Sequence, residues 1–258
     1  YLYVEELANL VNEGKVDPKL IDDAARRILR VQFELGLFEN PFPNKNFISK
    51  IGSSKHRKVA KQAVRESLVL LKNHNNVLPI NKKTNKIVVV GEHANNSGLQ
   101  SGGWTINWQG TKENYKGATT ILDGIKKQST GNVVYDKDAT SKHFDADVAI
   151  IVVGEAPYAE FFGDVGHESN KLTLNLTKEH KRYIKTYADK GVKTVVVLIS
   201  GRPLVVTNQI KKSNAFVAAW LPGSEGDGVA EVLFGDYNFK GKLPHSWPKS
   251  VKDYKEKY

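Results

Sequence analysis

The 258-residue chain contains no cysteine and no methionine. Without cysteine the chain can form neither disulfides nor thiolate-bound metal sites, and it cannot be a cysteine protease. No apolar run approaches the roughly 20 residues that a membrane-spanning helix needs. The chain opens on Tyr1 inside a helical pattern and shows no signal-peptide pattern. We therefore expect a piece of a larger protein, with no membrane partner.

Several catalytic motifs are also missing. The histidines show neither HxxxH nor HExxH spacing, so no metal or other cofactor is expected. Ser200 and Ser224 do not lie in a GxSxG motif, which argues against a serine-hydrolase triad. The glycines of segment 223–228 follow the reverse of the dinucleotide-binding order, and Glu225 and Asp227 would repel an anion. This segment is predicted to be a structural turn.

Basic residues exceed acidic ones, 38 to 28, which gives a net charge of +10. Many of them lie in residues 55–72, where apolar residues recur at helical spacing. This pattern is typical of the solvated face of an amphipathic helix. Because no aromatic stacking motif accompanies it, a solvated face is favoured over a nucleic-acid patch, and no nucleic-acid partner is expected.

Apolar runs without alternation predict buried strands of a parallel sheet. The predicted strands are 87–90, 133–135, 148–153, 194–199 and 216–221, and the predicted helices are 55–72, 119–128, 177–190, 203–212 and 225–234. Strands that alternate with helices predict a doubly wound α/β sandwich, with a mostly parallel sheet of five or six strands and helices on both faces.

The chain is predicted to have four parts. Residues 1–36 read as two helices, with Asp17 as an N-cap and Pro18 in the first turn of the second. Residues 37–54 are rich in proline, asparagine and glycine and are predicted to be a linker. Residues 55–248 form the predicted α/β domain, and residues 249–258 a tail.

Two loops carry the candidate functional residues. Residues 154–164 follow a buried strand and include Glu155, Tyr158 and Glu160. A carboxyl group beside apolar neighbours can have a raised pKa, which suits a general acid, although Glu155 could equally be a helix cap or a partner of a lysine. Residues 101–110 place Trp104 and Trp108 in a glycine-rich loop. Such tryptophans suit stacking on sugar rings or packing over a small apolar cluster.

These segments together resemble glycoside hydrolase family 3, in particular its β-glucosidases and β-glucan exohydrolases. The resemblance covers nearly the whole chain in the family's order, and its blocks are residues 22–29, 35–39, 66–73, 78–80, 101–110, 154–160, 199–203, 218–226 and 233–236. It implies that residues 1–36 are the last helices of a (β/α)8-like barrel. The sandwich would then follow, and the active site would lie between the two domains.

The resemblance also implies a reaction and roles for residues. The reaction is retaining hydrolysis of β-glucosides or β-glucan oligosaccharides, with one carboxyl group as nucleophile and another as acid/base. The family pattern makes Glu155 the first candidate for the acid/base and Glu160 the second, with Trp104 on one side of the +1 sugar subsite and Tyr158 beside the acid. The nucleophile would lie on the barrel, so this chain alone is expected to be inactive. A secreted or periplasmic location is also implied.

A second function class stays open from the sequence. The basic helix and the turn at Gly223 could instead belong to a non-catalytic α/β module that binds a small anion or an acidic partner. Binding to such a site would weaken steeply with ionic strength, whereas binding of a neutral sugar would not.

Overall fold

A computed structural model describes residues 2–140, 143–165 and 173–256 of the chain. Residues 257 and 258 of the predicted tail lie outside this range. The chain divides into two compact units, Tyr1–Ile51 and Gly52–Tyr258. None of the helices in the described part of the chain has the length and apolar character that crossing a membrane requires.

The first unit consists of helices α1 (Leu2–Asn12) and α2 (Pro18–Glu34) and a 3-10 helix at Lys45–Lys50. The side chain of Asp17 accepts a hydrogen bond of 2.9 Å from the backbone N–H of Lys19, which makes Asp17 the predicted N-cap of α2. No residue of α1 or α2 is buried, and both helices are described completely. The apolar stripe of α2 is therefore exposed within this chain.

The second unit is built on one six-stranded sheet. Its strands are β1 (Val69–Asn73), β2 (Lys86–Val90), β3 (Asn132–Asp136), β4 (Val148–Gly154), β5 (Lys193–Ile199) and β6 (Ala215–Trp220). Their order across the sheet is β1-β6-β5-β4-β2-β3, and all neighbours are parallel except β1 and β6. The doubly wound, mostly parallel α/β sandwich is thus confirmed.

Helices cover both faces of this sheet. The helices of the second unit are α3 (Ser54–Ser67), α4 (Ser97–Ser101), α5 (Ile121–Gln128), α6 (Lys178–Ala188), α7 (Thr207–Lys212), α8 (Gly226–Leu233) and α9 (Lys252–Glu256). In β4 the side chains of Ile150 and Val152 enter one apolar core and that of Ile151 enters the other. Because both faces are buried, the strands have no polar alternation, which is why their sequences are uniformly apolar.

The prediction of a helix through residue 72 was wrong. Helix α3 ends at Ser67, and residues 69–73 form the edge strand β1, which pairs antiparallel with β6. The apolar residues of this segment continue the spacing of the helix, so the sequence pattern favours a helix over them. Pairing with β6 and burial of Leu68 and Val69 decide for the strand.

The predicted solvated basic face of α3 is only partly solvated: Lys55 and Lys58 are exposed, but the other lysine and arginine side chains of this helix are partly buried. Three of its cations form ion pairs with acidic groups of α8 or the residue before it: Arg57 with Glu225, Lys61 with Asp227 and Glu231, and Arg65 with Glu231. Glu225 is buried, and burial raises its pKa while the charge of Arg57 opposes that effect. This part of the positive charge therefore stabilises helix packing and is not free for an anion.

Candidate functional site

The candidate site lies at the carboxyl ends of β2, β4 and β5. The strand order reverses between β2 and β4, and in doubly wound sheets ligands bind beyond the strand ends at such a point. We call residues 102–110 the tryptophan loop and residues 155–165 the acidic loop. The two loops and Arg202, which follows β5, come together here.

A cavity of about 250 Å³ lies between these elements. Three of the predicted site residues, Trp104, Glu155 and Tyr158, line it together with Leu99, Gly102, Gly103, Ala156, Pro157, Ser200, Gly201 and Leu221. Glu160 is not part of this lining and lies on the exposed side of the acidic loop. The two candidate carboxyl groups therefore have different surroundings.

Glu155 is held by Arg202. The Nε of Arg202 donates to Oε1 of Glu155 at 2.9 Å, and Nη2 approaches the same oxygen to 2.9 Å without forming an aligned hydrogen bond. The hydroxyl of Tyr158 donates to Oε2 at 3.4 Å. Burial raises the pKa of Glu155, while the Arg202 contacts lower it. Glu155 thus combines a desolvated carboxyl group with a cation partner.

Tyr158 contacts both of these charged groups. Its ring centroid is 4.2 Å from the guanidinium carbon of Arg202, which is a cation–π contact. Burial, and next the negative charge of Glu155, raise the pKa of Tyr158 to about 12. Its hydroxyl therefore stays protonated at neutral pH and remains a donor.

Glu160 contacts the tryptophan loop instead of Arg202. The indole Nε1 of Trp108 donates to Oε2 of Glu160 at 2.5 Å. This hydrogen bond is the largest cause of a lowered pKa for Glu160 in the chain alone, because it stabilises the ionised form. The carboxylate is consequently fixed beside an aromatic surface and faces solvent.

Close packing between the two loops explains two glycines of the tryptophan loop, Gly103 and Gly110. A Cβ on Gly103 would lie 2.1 Å from the carbonyl oxygen of Tyr158, and one on Gly110 would lie 2.6 Å from the Cβ of Pro157. Gln109 joins the loops further: its Oε1 accepts from the N–H of Ala159 at 2.9 Å, and its Nε2 donates to the carbonyl oxygen of Glu160 at 3.3 Å. The tryptophan loop therefore fixes the backbone of Glu160 as well as its carboxylate.

Aromatic side chains pack around Trp108, the hydrogen-bond donor to Glu160. The rings of Trp104 and Trp108 are 6.4 Å apart, and Trp108 makes edge contacts with Phe161 and Phe162 at 6.3 and 6.5 Å. Trp104 is 71% exposed, and its backbone adopts a φ of +57°, which is uncommon for a side-chain-bearing residue. An exposed indole on a strained loop is a poor core element and suits contact with a ligand.

Two histidines beneath the acidic loop were not found by sequence analysis. His93 follows β2 and is buried, and its Nε2 lies 3.0 Å from the carbonyl oxygen of Glu155. The His180 ring on α6 is 5.3 Å from the His93 ring. In the described part of the chain, the Nδ1 atoms of both rings lack a hydrogen-bond partner. No motif signalled this pair, because 87 residues separate its members in the numbering.

We expect the buried His180 to make the protein less stable in acid. Burial lowers the pKa of His180 to about 4 from 6.5, so the unfolded chain binds more protons between these values. Stability is fully present above pH 6.5 and is lost as the pH falls towards 4. At pH 5 the loss from His180 is about 2 kcal/mol.

Urea unfolding at pH 7 and pH 5 checks this prediction. His180→Phe should reduce the difference in unfolding free energy between the two pH values by about 2 kcal/mol. His74→Phe is the control, because the His74 ring is exposed. A His180→Phe variant with the same pH dependence as the parent would contradict the prediction.

Metal ligands and the turn beside Gly223 bear on the other kinds of site considered from the sequence. Within residues 2–140, 143–165 and 173–256, no group of three or more His, Asp or Glu side chains could hold a metal ion. At the turn beside Gly223, Glu225 and Asp227 already face Arg57 and Lys61. These contacts do not favour the alternative of an anion-binding module.

Comparison with known proteins identifies the family of the chain. Residues 68–258 match the glycosyl hydrolase family 3 C-terminal domain. The chain is 32% identical to the lysosomal beta glucosidase of Dictyostelium discoideum, with 96% of this chain and 32% of that protein covered. It is 30% identical to the periplasmic beta-glucosidase of Salmonella typhimurium, covering 96% of this chain and 37% of that protein.

Solved structures agree with this result. The exo-1,3/1,4-beta-glucanase ExoP of a Pseudoalteromonas species is 38% identical, with a TM-score of 0.83, over 95% of this chain and 32% of that one. The beta-glucosidase of Listeria innocua in complex with glucose is 30% identical, with a TM-score of 0.79, over 96% of this chain and 34% of that one. The chain spans about a third of the length of these relatives. It belongs to glycoside hydrolase family 3 and contains the family's C-terminal domain.

Proposed function

We propose that this chain supplies the acid/base and part of the +1 sugar subsite of a retaining β-glucosidase or exo-β-glucanase. The nucleophile would lie on a barrel domain outside these 258 residues. The observation that carries the proposal is the exposed Glu160 carboxylate, hydrogen-bonded to Trp108 and bordered by Trp104. Relatives are named for β-glucosidase and exo-1,3/1,4-β-glucanase activity; the Listeria enzyme has been solved in complex with glucose, and a mutant of it in complex with laminaribiose.

The geometry supports Glu160 over Glu155 as the acid/base, which reverses the order expected from the family pattern. A general acid must reach the oxygen that it protonates, and geometry is considered before pKa. Glu160 is exposed beside the aromatic surface, whereas the side chain of Glu155 is only 11% exposed and contacts Arg202. A general acid must be protonated before it acts. Protonation of Glu160 leaves no buried charge unpaired, whereas protonation of Glu155 would leave Arg202 without its carboxylate partner.

The lowered pKa of Glu160 is that of the carboxyl group in this chain without a barrel domain, and we expect a different pKa in the full-length enzyme. In a retaining enzyme the two carboxyl groups lie about 5–5.5 Å apart. A nucleophile at that distance, together with exclusion of water by sugar and barrel, raises the pKa of Glu160 by like charge and by desolvation. Glu160 would then be protonated while the nucleophile attacks, and after the aglycone leaves it would act as the base for water.

Trp104 is proposed to stack on the sugar in the +1 subsite, with Tyr158 supporting the loop below it. Trp104→Ala in the full-length enzyme is then expected to raise KM for laminaribiose about tenfold, which corresponds to about 1.4 kcal/mol. Ile106→Ala is a matched control, because Ile106 lies on the same loop, is 73% exposed and also has a positive φ, of +68°.

Steady-state hydrolysis of laminaribiose by the parent and both variants checks this role. We expect a change in KM for Trp104→Ala and none for Ile106→Ala. Equal effects of the two substitutions would contradict stacking by Trp104. Absence of β-glucoside hydrolysis by the full-length parent would contradict the proposed function itself.

A further inference from the structure

Arg202 contacts the acidic loop at three places along its length. At the start of the loop it pairs with Glu155, with Nε to Oε1 at 2.9 Å. In the middle its guanidinium group lies over the ring of Tyr158, at 4.2 Å from the centroid. At the end its Nη1 donates to the carbonyl oxygen of Gly163 at 2.6 Å. One side chain thus joins both ends of the segment that carries Glu160.

The chemistry of the guanidinium group suits this task. Its planar fork donates in several fixed directions and its flat face stacks on aromatic rings, which a lysine ammonium cannot do simultaneously. The Arg202 side chain is 21% exposed, so solvent competes weakly for its donors. The loop also contains local hydrogen bonds between these contacts, such as Gly163 N–H to the carbonyl oxygen of Ala159 at 2.8 Å.

We propose that Arg202 is a positioning residue that fixes the acidic loop, and through it the carboxyl group of Glu160, for proton transfer. This inference rests on the proposed function, in which Glu160 is the acid/base. Glu155 is then the counter-ion of Arg202, which explains why a buried carboxylate occurs beside the site. Gln109 and Trp108 hold Glu160 from the opposite side. The acidic loop is therefore held by Arg202 and by the tryptophan loop.

The test compares Arg202→Ala and Arg202→Lys in the full-length enzyme. Arg182→Ala is the matched control, since Arg182 also lies over a tyrosine ring, at 4.9 Å from the centroid of Tyr183, and donates to a backbone carbonyl, that of Asp138, at 2.9 Å. We measure kcat/KM on phenyl and 2,4-dinitrophenyl β-glucosides. This parameter reports the first step, in which only the poor phenolic leaving group needs a proton.

For Arg202→Ala we expect a loss of about 100-fold in kcat/KM on phenyl β-glucoside, because a displacement of about 1 Å at a catalytic group has that effect. The value for the dinitrophenyl substrate should be nearly unchanged. Arg202→Lys should fall between the parent and Arg202→Ala, and Arg182→Ala should resemble the parent. A merely structural role would reduce the active fraction and lower both substrates equally, which would overturn the proposal.

Amide hydrogen exchange in the same proteins separates this inference from the proposed function. If Arg202 fixes the loop, the amides of Phe162 and Gly163 exchange faster in Arg202→Ala than in the parent, whether or not the protein is a glucosidase. Unchanged exchange would overturn this role of Arg202 even in an active enzyme. A parent without β-glucosidase activity would instead overturn the proposed function and the role of Arg202 in proton transfer. Faster exchange in Arg202→Ala would then still support the conclusion that Arg202 fixes the acidic loop.

Discussion

Glu160→Ala in the full-length enzyme is expected to lower kcat/KM for phenyl β-glucoside by about 10²–10⁴-fold. The same substitution should hardly change kcat/KM for 2,4-dinitrophenyl β-glucoside. The physical reason is that a general acid assists departure only when the leaving oxygen is basic, and dinitrophenolate leaves without a proton. Initial-rate kinetics on the two substrates checks the prediction.

Glu155→Gln is the comparison variant. It removes the charge that pairs with Arg202 but keeps the size of the side chain and leaves the Arg202 contacts to Tyr158 and Gly163 available. We expect a smaller loss on phenyl β-glucoside than for Glu160→Ala. Strong dependence on the leaving group at Glu155 together with weak dependence at Glu160 would assign the acid/base to Glu155.

The second large effect concerns the 258-residue chain by itself. We expect no measurable turnover of an aryl β-glucoside, against a median enzyme rate of about 10 s⁻¹. Without a nucleophile no glycosyl-enzyme can form, and half a subsite must immobilise the sugar with few contacts. The full-length enzyme at the same concentration is the positive control. Turnover by the chain near the median rate would mean that the nucleophile lies within these residues.

The central sheet could be predicted because its strands are buried on both faces. Uniform apolar runs separated by helical segments indicate a parallel sheet whatever the details of the loops. The edge strand β1 was missed for the opposite reason. Its residues directly follow α3 and continue the spacing of that helix, so only the partner strand β6, about 150 residues later, shows that they are extended.

That the candidate residues lie close together could also be predicted from the sequence. Because the tryptophan and acidic loops follow strands of one parallel sheet, their residues gather at one edge of it. The proposed ranking of the two glutamates could not be derived from the sequence. It depends on Arg202, which lies 47 residues beyond Glu155, and on Trp108, which lies 52 residues before Glu160. Spacing within one loop contains no information about such partners.

The buried histidines illustrate the same limit. Nothing near His93 or His180 in the chain indicates that their rings meet below Glu155. The ion pairs of α3 show the same limit for charged residues. A cluster of cations in the sequence indicates neither the position nor the number of their acidic partners. For α3 the sequence pattern predicts a solvated basic face, whereas Arg57, Lys61 and Arg65 are partly buried against acidic groups.

Chemical rescue by azide is the most direct test of Glu160 as the acid/base of a retaining enzyme. In Glu160→Ala, azide needs no general base, so it can attack the glycosyl-enzyme at the space left by the carboxyl group. We predict that azide accelerates turnover of 2,4-dinitrophenyl β-glucoside by Glu160→Ala, that the product is β-glucosyl azide, and that Glu155→Gln gives neither effect. Azide rescue and β-glucosyl azide from a Glu155→Ala variant, with none from Glu160→Ala, would contradict the assignment.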